Sequence, residues 1–462
     1  MVLAANSDQY MALYLAIPWA GAVIAPLNAR WSVAENDFAL KDCAPRAAFI
    51  GGGVDPATLK LFDDRVTDMT VIDLDDCLRP GWCKFSTVLD HDPIKDVGRA
   101  GDDLFGIFYT GGTTGRPKGV MLSHAGVIGN ALAMRELGLC PDGCRTLIVA
   151  PLFHLAAVAV LTMTMLAGGS AVILPAFDPT HTPDAIAAYH VTDVLLVPTM
   201  IQMVLDSPTF DPLKLRTLER LIYGASPMPE DTLDRAMAAA PQADFFQCYG
   251  MTEVSCTATV LPPEFHRGAH RKAGRHRGAG KPIRTVEIRI ANADGQTVPQ
   301  GDVGEILVRG PGVMLGYWGQ PEQTAKAVVD GWMHTGDGGR IDDLGVVYVV
   351  DRMKDMIVSG GENVYSAEVE SALSQHPDIA QCAVIGVPDA RWGERVHAVV
   401  VARPGAEVSP DGVIAHCKAL IAGYKCPRSV EVRTALPMSA AGKILKADLR
   451  APYWAGQGRN VA

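Results

Sequence analysis

The sequence predicts an α/β protein: a large N-terminal part of layered, mostly parallel sheets with a small barrel-like unit, followed by a small α+β C-terminal part. Three observations predict it. Short apolar runs, among them Leu147–Ala150, Ala171–Leu174, Val194–Val197 and Arg220–Tyr223, alternate with helix-like stretches through most of the first 300 residues. Such alternation specifies helices packed on largely parallel sheets. From about Val286 the strings VEIRIANADGQTVP and GEILVRG alternate at period two around turn signals, which predicts a small antiparallel or barrel-like unit. Past Arg352 the texture changes again, into a module of about a hundred residues, the size of a separate domain.

In chain order, the apolar run Leu104–Phe108 predicts a strand, and Val120, Met121 and Leu122 predict a second. Leu155–Leu174 is almost wholly apolar and nominally long enough to span a bilayer. Gly168 and Gly169 interrupt it, and the apolar run that follows ends at Pro175, so a buried helix followed by a buried strand is the better reading. In the C-terminal module Ser366 is placed to cap a helix with Glu368 in its first turn, and Val384–Val387 and His397–Val401 predict strands. Ser409 and Pro410 open a helix whose Val413, Ile414, Cys417, Leu420 and Ile421 share one face, and Gly423 closes it.

Composition excludes several classes. With 462 residues, 48% hydrophobic and 20% charged, the chain is large enough for two or three cores. A net charge of −10 argues against general affinity for nucleic acid or acidic membranes. The ten cysteines form no CxxC pair, which fits reduced thiols and a cytoplasmic protein. Cys140 and Cys144 lack the nearby His/Cys pair that would complete a zinc set. The start, MVLAANSDQY, lacks the basic and apolar regions of a secretory signal.

The most informative string is Tyr109–Gly119, YTGGTTGRPKG. Glycines let successive backbone N–H groups converge, the hydroxyls of Thr110, Thr113 and Thr114 add donors, and Lys118 brings a mobile positive charge. Such a loop is an anion cradle suited to a polyphosphate; read alone, it is more often a flexible turn. It is not a Walker loop, because Gly119 follows Lys118 where Ser or Thr is needed and a strand follows instead of a helix. No GxSxG elbow is present.

Four further strings carry chemistry. In YGMTE, Tyr249 can stack on a purine, Thr252 can donate to a phosphate and Glu253 can hold Mg²⁺, although an ordinary strand end with an exposed acid reads the same way. In YGAS, Tyr223–Ser226, backbone groups can line an adenine slot. Between GWMHTGD and DRMKD, a buried Asp337 can accept both ribose hydroxyls, and Arg352 can reach the ribose or the α-phosphate. Lys443, in GKILK, is by itself an ordinary solvated charge.

Together with PLFH at Pro151–His154, DRMKDMIVSGGENVYSAEVE and AAGKILKADLR, these strings resemble the adenylate-forming superfamily of acyl- and aryl-CoA synthetases, adenylation domains and firefly luciferase. Their order and spacing match along nearly the whole chain. The resemblance implies a two-step reaction: a carboxylate attacks the α-phosphorus of ATP, and a thiol, typically that of coenzyme A, then displaces AMP. It implies Lys443, Thr252, Glu253 and His154 as catalytic residues, with Glu253 on Mg²⁺. It assigns ATP and AMP to Thr110, Gly112, Thr113, Thr114, Gly115, Lys118, Gly224, Ala225, Ser226, Tyr249, Gly250, Asp337 and Arg352.

It also implies residues 1–352 as the adenylation domain and 353–462 as a mobile domain that turns about a hinge at Lys354. That motion would exchange Lys443 for a coenzyme A channel at Gly360, Gly361 and Glu362. The expected acyl pocket includes His154, Met200, Met203, Tyr223, Met251 and Ser255, mostly apolar or small, which favours a fatty acid first and an aryl or arylpropenoic acid second. An acyl-AMP ligase that loads a carrier protein, and a non-catalytic nucleotide-binding protein, are the alternatives. The expected partners are the acid, ATP, Mg²⁺ and coenzyme A, and a homodimer is compatible with this reading.

Three departures stand out: Gly111 replaces the usual Ser, Asp351 the usual Gly before Arg352, and Ser366 a common Pro. The first residues resemble a point about fifty residues into family members. The basic stretch His266–Lys281 is read first as a solvated loop and second as a landing site for the 3′-phosphate of coenzyme A or for a carrier protein.

Overall fold

A computed structural model describes residues 1–63, 69–77, 79–110, 117–352, 355–359, 362–389, 391–438 and 444–455. Gly112, Thr113, Thr114, Gly115, Lys354, Gly360, Gly361 and Lys443 lie outside the described residues, and Arg352 is described by its backbone only.

Among the described residues, five sheets organise the chain. Val2–Leu3, Ala47–Ile50, Thr70–Asp73 and Cys83–Lys84 form a four-stranded parallel sheet. A seven-stranded sheet runs Lys281–Pro282, Thr259–Leu261, Asp244–Tyr249, Arg220–Gly224, Asp193–Leu195, Arg145–Ile148, Ser170–Ile173. Its members from Asp244–Tyr249 onward are parallel, and the first two close one edge antiparallel. The strands Leu104–Thr110 and Lys118–Ser123 form an antiparallel hairpin joined by Gly316–Tyr317. The period-two segment folds as a five-stranded antiparallel sheet of Glu287–Ala291, Gly304–Arg309, Val328–Val329, Trp332–Ile341 and Val347–Arg352.

The long apolar run becomes the helix Leu155–Leu166, nearly all of it buried in the largest core cluster. Thr162 and Thr164 donate to the Val158 and Val160 carbonyls at 2.8 Å, so their hydroxyls enter that core satisfied. Among the described residues no helix is long and apolar enough to cross a membrane. The strand that follows, Ser170–Ile173, departs from the expected burial: it is the sheet's outermost strand and is only half-covered. An edge strand has a neighbour on one side alone, and apolar content does not report that.

In the C-terminal module Ile379–Asp389 and Gly393–Ala402 form a long antiparallel pair, extended by Ile357–Ser359, Glu362–Val364 and Ser429–Arg433. Ser409 caps the helix Pro410–Leu420 through the Gly412 N–H at 3.1 Å, with Pro410 in the first turn. Val413 and Cys417 carry its buried face, whereas Leu420 is exposed and the helix stops three residues before Gly423. Ser366 corrects the expectation for the preceding helix. It is the first helical residue of Ser366–Leu373, not its cap, and its N–H is taken by the Asp351 carboxylate.

Candidate active site

The expected phosphate loop connects two paired strands, with Thr110 opposite Lys118 across the hairpin. Lys118 therefore leaves the loop on a fixed strand, and its Nζ stands 5.1 Å from the centre of the Tyr317 ring. The Tyr317 phenol donates to Glu253 Oε1 at 3.0 Å. Burial and the adjacent Glu253 carboxylate hold the phenol pKa far above its ordinary value, which keeps it a donor. Glu253 is itself buried, on the 3₁₀ turn Thr252–Val254 that follows the strand Asp244–Tyr249. Lys118, Tyr317, Glu253 and the turn holding Thr252 thus occupy one place.

The other half of the YGMTE string serves a second place. The Tyr249 phenol donates to Asp337 Oδ2 at 2.8 Å, across 88 residues. Asp337 is half-buried rather than fully buried, and its backbone pairs with Arg352 on the neighbouring strand. Thr335 Oγ1 accepts the Asp337 N–H at 3.1 Å and donates to the Ile306 carbonyl at 2.7 Å, which anchors the turn before the carboxylate. Glu305 anchors it further through His334 Nδ1 at 2.8 Å and the Gly336 N–H at 2.9 Å.

Local backbone explains why these strings take the residues they do. A Cβ on Gly224 or on Gly250 would stand 2.1 Å from the Cys248 or the Cys256 carbonyl oxygen, so both positions admit only glycine. Ala225 at φ 66°, and Ser255 and Cys256 at φ 58° and 92°, are held left-handed beside them. Non-glycine residues in this region cost roughly 1–3 kcal/mol each. The Ser255 hydroxyl, donating to the Gly312 carbonyl at 2.7 Å, helps hold the turn in that shape.

The residues named for the acyl pocket are distributed over two core clusters and the surface. Tyr223 is buried on the opposite face of its strand, in a separate core cluster, with its OH 2.8 Å from His266 Nε2. Strand alternation decides this: Ile222 faces one core and Tyr223 the other. Met200 packs against that same second cluster, and Met203 is half exposed on the helix Pro198–Leu205. Ser255 is committed to Gly312. Met251 packs against the main core, and His154 stands at the N-cap of Leu155–Leu166 with its ring 4.6 Å from that of Phe153. Ser226 lies just past the strand Arg220–Gly224, and Glu362 is exposed at the turn facing Ser359.

The basic stretch is not a solvated loop. It folds into the short helical segments Pro263–His266, Gly268–Lys272 and Arg275–Arg277. Glu230 accepts from Arg277 at 2.8 Å and His276 at 3.1 Å, and Arg271 pairs with Asp234. Arg275 pairs with Asp343 at 3.1 Å and Asp342 at 3.5 Å. Carboxylates of the protein itself thus answer Arg271, Arg275 and Arg277.

A single carboxylate held by a phenol that also faces Lys118 suits Mg²⁺, which keeps its waters and takes one or two carboxylates together with substrate phosphates. Among the described residues no cluster of three metal-ligating side chains occurs. Glu253 would hold the ion, which when bound supplies charge neutralisation to the phosphates.

Tyr317 is the residue that motif reading missed. Between Gly316 and Trp318 it carries no sign of a partner 64 residues upstream. Asp42 was equally silent: its Oδ2 accepts the Tyr109 phenol at 2.6 Å, and its carbonyl accepts Trp318 Nε1 at 3.0 Å. It ties the strand leading into the expected phosphate loop to the strand end carrying Tyr317.

These features define a nucleotide-dependent enzyme of the adenylate-forming kind. Residues 1–318 match the AMP-binding enzyme family and residues 368–443 its C-terminal domain, and the chain belongs to that family. It is 40% identical to a feruloyl-CoA synthase from an Amycolatopsis species, over 97% of this chain and 87% of that protein. It is 35% identical to a fatty acid–[acyl-carrier-protein] ligase of Streptomyces coeruleorubidus, over 99% and 87%. The ATP-bound crystal structure of MatB from Rhodopseudomonas palustris, 31% identical, matches with a TM-score of 0.87 over 98% of this chain and 88% of that one. The apo structure of MatB matches over the same shares with a TM-score of 0.74.

Proposed function

We propose that the protein is an AMP-forming acid–thiol ligase that joins a neutral, apolar carboxylic acid to coenzyme A. The observation that carries this reading is the division of the YGMTE string between two side-chain groups, a division that suits the two ends of one nucleotide. Tyr249 with Asp337 marks the nucleoside end, and Glu253 with Tyr317 and Lys118 marks the phosphate end.

In the first step a carboxylate oxygen attacks the α-phosphorus and the bond to the bridging oxygen of pyrophosphate breaks. Both reactants are anionic, so the chain's task is to supply cations and fixed donors where charge develops. Lys118 serves the departing pyrophosphate, Glu253 holds Mg²⁺, Asp337 and Arg352 hold the ribose, and Lys443 bridges carboxylate and phosphate. In the second step the thiol sulfur attacks the acyl carbon, its proton is released, and the bond to AMP breaks. Neither step needs a covalent enzyme nucleophile; orientation and electrostatics suffice. We place the domain division after Arg352, between the two family-matched regions.

A fatty acid is the first choice of substrate. An arylpropenoic acid is the second reading, favoured by the 40% identity to a feruloyl-CoA synthase. The test is pyrophosphate release from ATP and Mg²⁺ with a panel of fatty, aryl and arylpropenoic acids, followed by coenzyme A or a carrier protein as acceptor. Acid-dependent release and a coenzyme A thioester are expected. No release with any acid would sink the reading, and transfer to carrier protein alone would replace coenzyme A as acceptor.

A further inference from the structure

Asp351 lies in the last strand of the large unit, Val347–Arg352, in register with Gly338, and its side chain is buried. Its Oδ2 accepts the N–H of Ser366, the first residue of the helix Ser366–Leu373. Tyr365, at the N-cap, makes no side-chain cap of its own. The carboxylate therefore caps the helix from outside the C-terminal module, where both the orphan N–H groups and the helix dipole favour an anion.

On its other side Ser366 meets Lys446, whose Nζ donates to Ser366 Oγ at 2.5 Å and pairs with Glu370 Oε1 at 2.7 Å. Glu370 Oε1 also accepts the Val384 N–H at 2.7 Å. Burial opposes the charge on Lys446, but Glu370 and Asp351 together outweigh it and hold its pKa above the ordinary lysine value. Lys446 opens the helix Lys446–Trp454, three residues after Lys443. One continuous set of contacts thus runs from the large unit's last strand to the segment that follows the expected catalytic lysine.

Two residues that depart from the family pattern make the same hydrogen bond. Glycine at 351 would offer no acceptor, and proline at 366 would offer no donor. The arrangement of the whole chain is also nearer to the ATP-bound MatB structure than to the apo one, with TM-scores of 0.87 and 0.74 over the same share of this chain.

We propose that Asp351, Ser366 and Lys446 form a latch of positioning residues that favours the domain arrangement used for adenylate formation and opens for thioester formation. This rests on the two-step ligase reading above. S366P removes the donor at a helix position that tolerates proline, and D351G removes the acceptor. Acid-dependent ATP–pyrophosphate exchange is measured beside thioester formation from a supplied acyl-adenylate and coenzyme A. Each variant should lose about five- to tenfold in exchange and stay within about twofold in thioester formation, and the double variant should be no worse than either single one, as expected of two residues sharing one contact. Equal losses in both half-reactions, or losses that multiply in the double variant, would overturn the latch.

Hydrogen exchange at the Ser366 amide supplies a readout that needs no turnover. Its protection should fall about tenfold in D351G, as for an amide that loses its acceptor, and unchanged protection would also overturn the proposal. A wild-type enzyme without acid-dependent exchange would refute the ligase reading instead, while the amide still reports on the Asp351 contact.

Discussion

Tyr317 and Glu253 are joined by a 3.0 Å hydrogen bond between buried groups, and the same tyrosine ring faces the Lys118 ammonium. The phenol fixes the carboxylate from one side and gives the lysine a surface on the other. A hydrogen bond to a charged group contributes about 1.5–3 kcal/mol. Y317F keeps the ring and removes only the donor. Adenylate formation should fall roughly tenfold with a weaker apparent affinity for Mg²⁺, read by titrating Mg²⁺ at fixed ATP. An unchanged Mg²⁺ dependence would show that Tyr317 does not position Glu253.

Lys443 belongs to the first half-reaction only, if the two domains alternate. K443A should abolish acid-dependent pyrophosphate exchange and spare thioester formation from a supplied acyl-adenylate. Equal loss of both activities would count against alternation.

His266 is buried between Tyr223 and the Pro262 carbonyl, with Nε2 at 2.8 Å and Nδ1 at 3.2 Å from their oxygens. Those partners suit a neutral ring that donates from Nδ1 and accepts at Nε2. Burial, with a smaller opposing contribution from Pro262, lowers its pKa to about 4. The unfolded chain, with a His pKa near 6.5, binds this proton first, so stability is fully present above that pH. It is lost as pH falls from about 6.5 toward 4, by as much as about 3 kcal/mol. Urea unfolding at pH 7.5 and pH 5 should show this slope in wild type and a flatter one in H266Q. Parallel slopes would remove His266 as the cause.

The ion pairs around Glu230, Asp342 and Asp343 make the basic stretch a structural element. Neutralising Arg271, Lys272 and Arg275 together should lower the melting temperature and leave the apparent affinity for coenzyme A within about twofold, because Arg271 and Arg275 are already paired with carboxylates and the exposed Lys272 adds little to binding. A marked loss of affinity with unchanged melting would restore the phosphate-landing role.

Residue order alone was enough for the class of fold, the strand pairs flanking the phosphate loop and the motif strings. Each of these depends on local chemistry: apolar period, glycine where the backbone must approach closely, hydroxyls and cations where an anion must sit. Tyr249 and Asp337, named separately from their strings, became a hydrogen-bonded pair only once two sheets met. Tyr317 and Asp42 were invisible because a tyrosine or an aspartate takes its meaning from a partner distant in sequence. Tyr223 faces the cluster opposite to that of Ile222 because one residue of strand register exchanges the two sides of a sheet. Ser366 changed from cap to capped residue because Asp351, fifteen positions earlier, reaches the helix end first. Short-range periodicity determines which elements form. Long-range packing decides which side chains share a dielectric and a hydrogen bond, and sequence patterning has no period that encodes it.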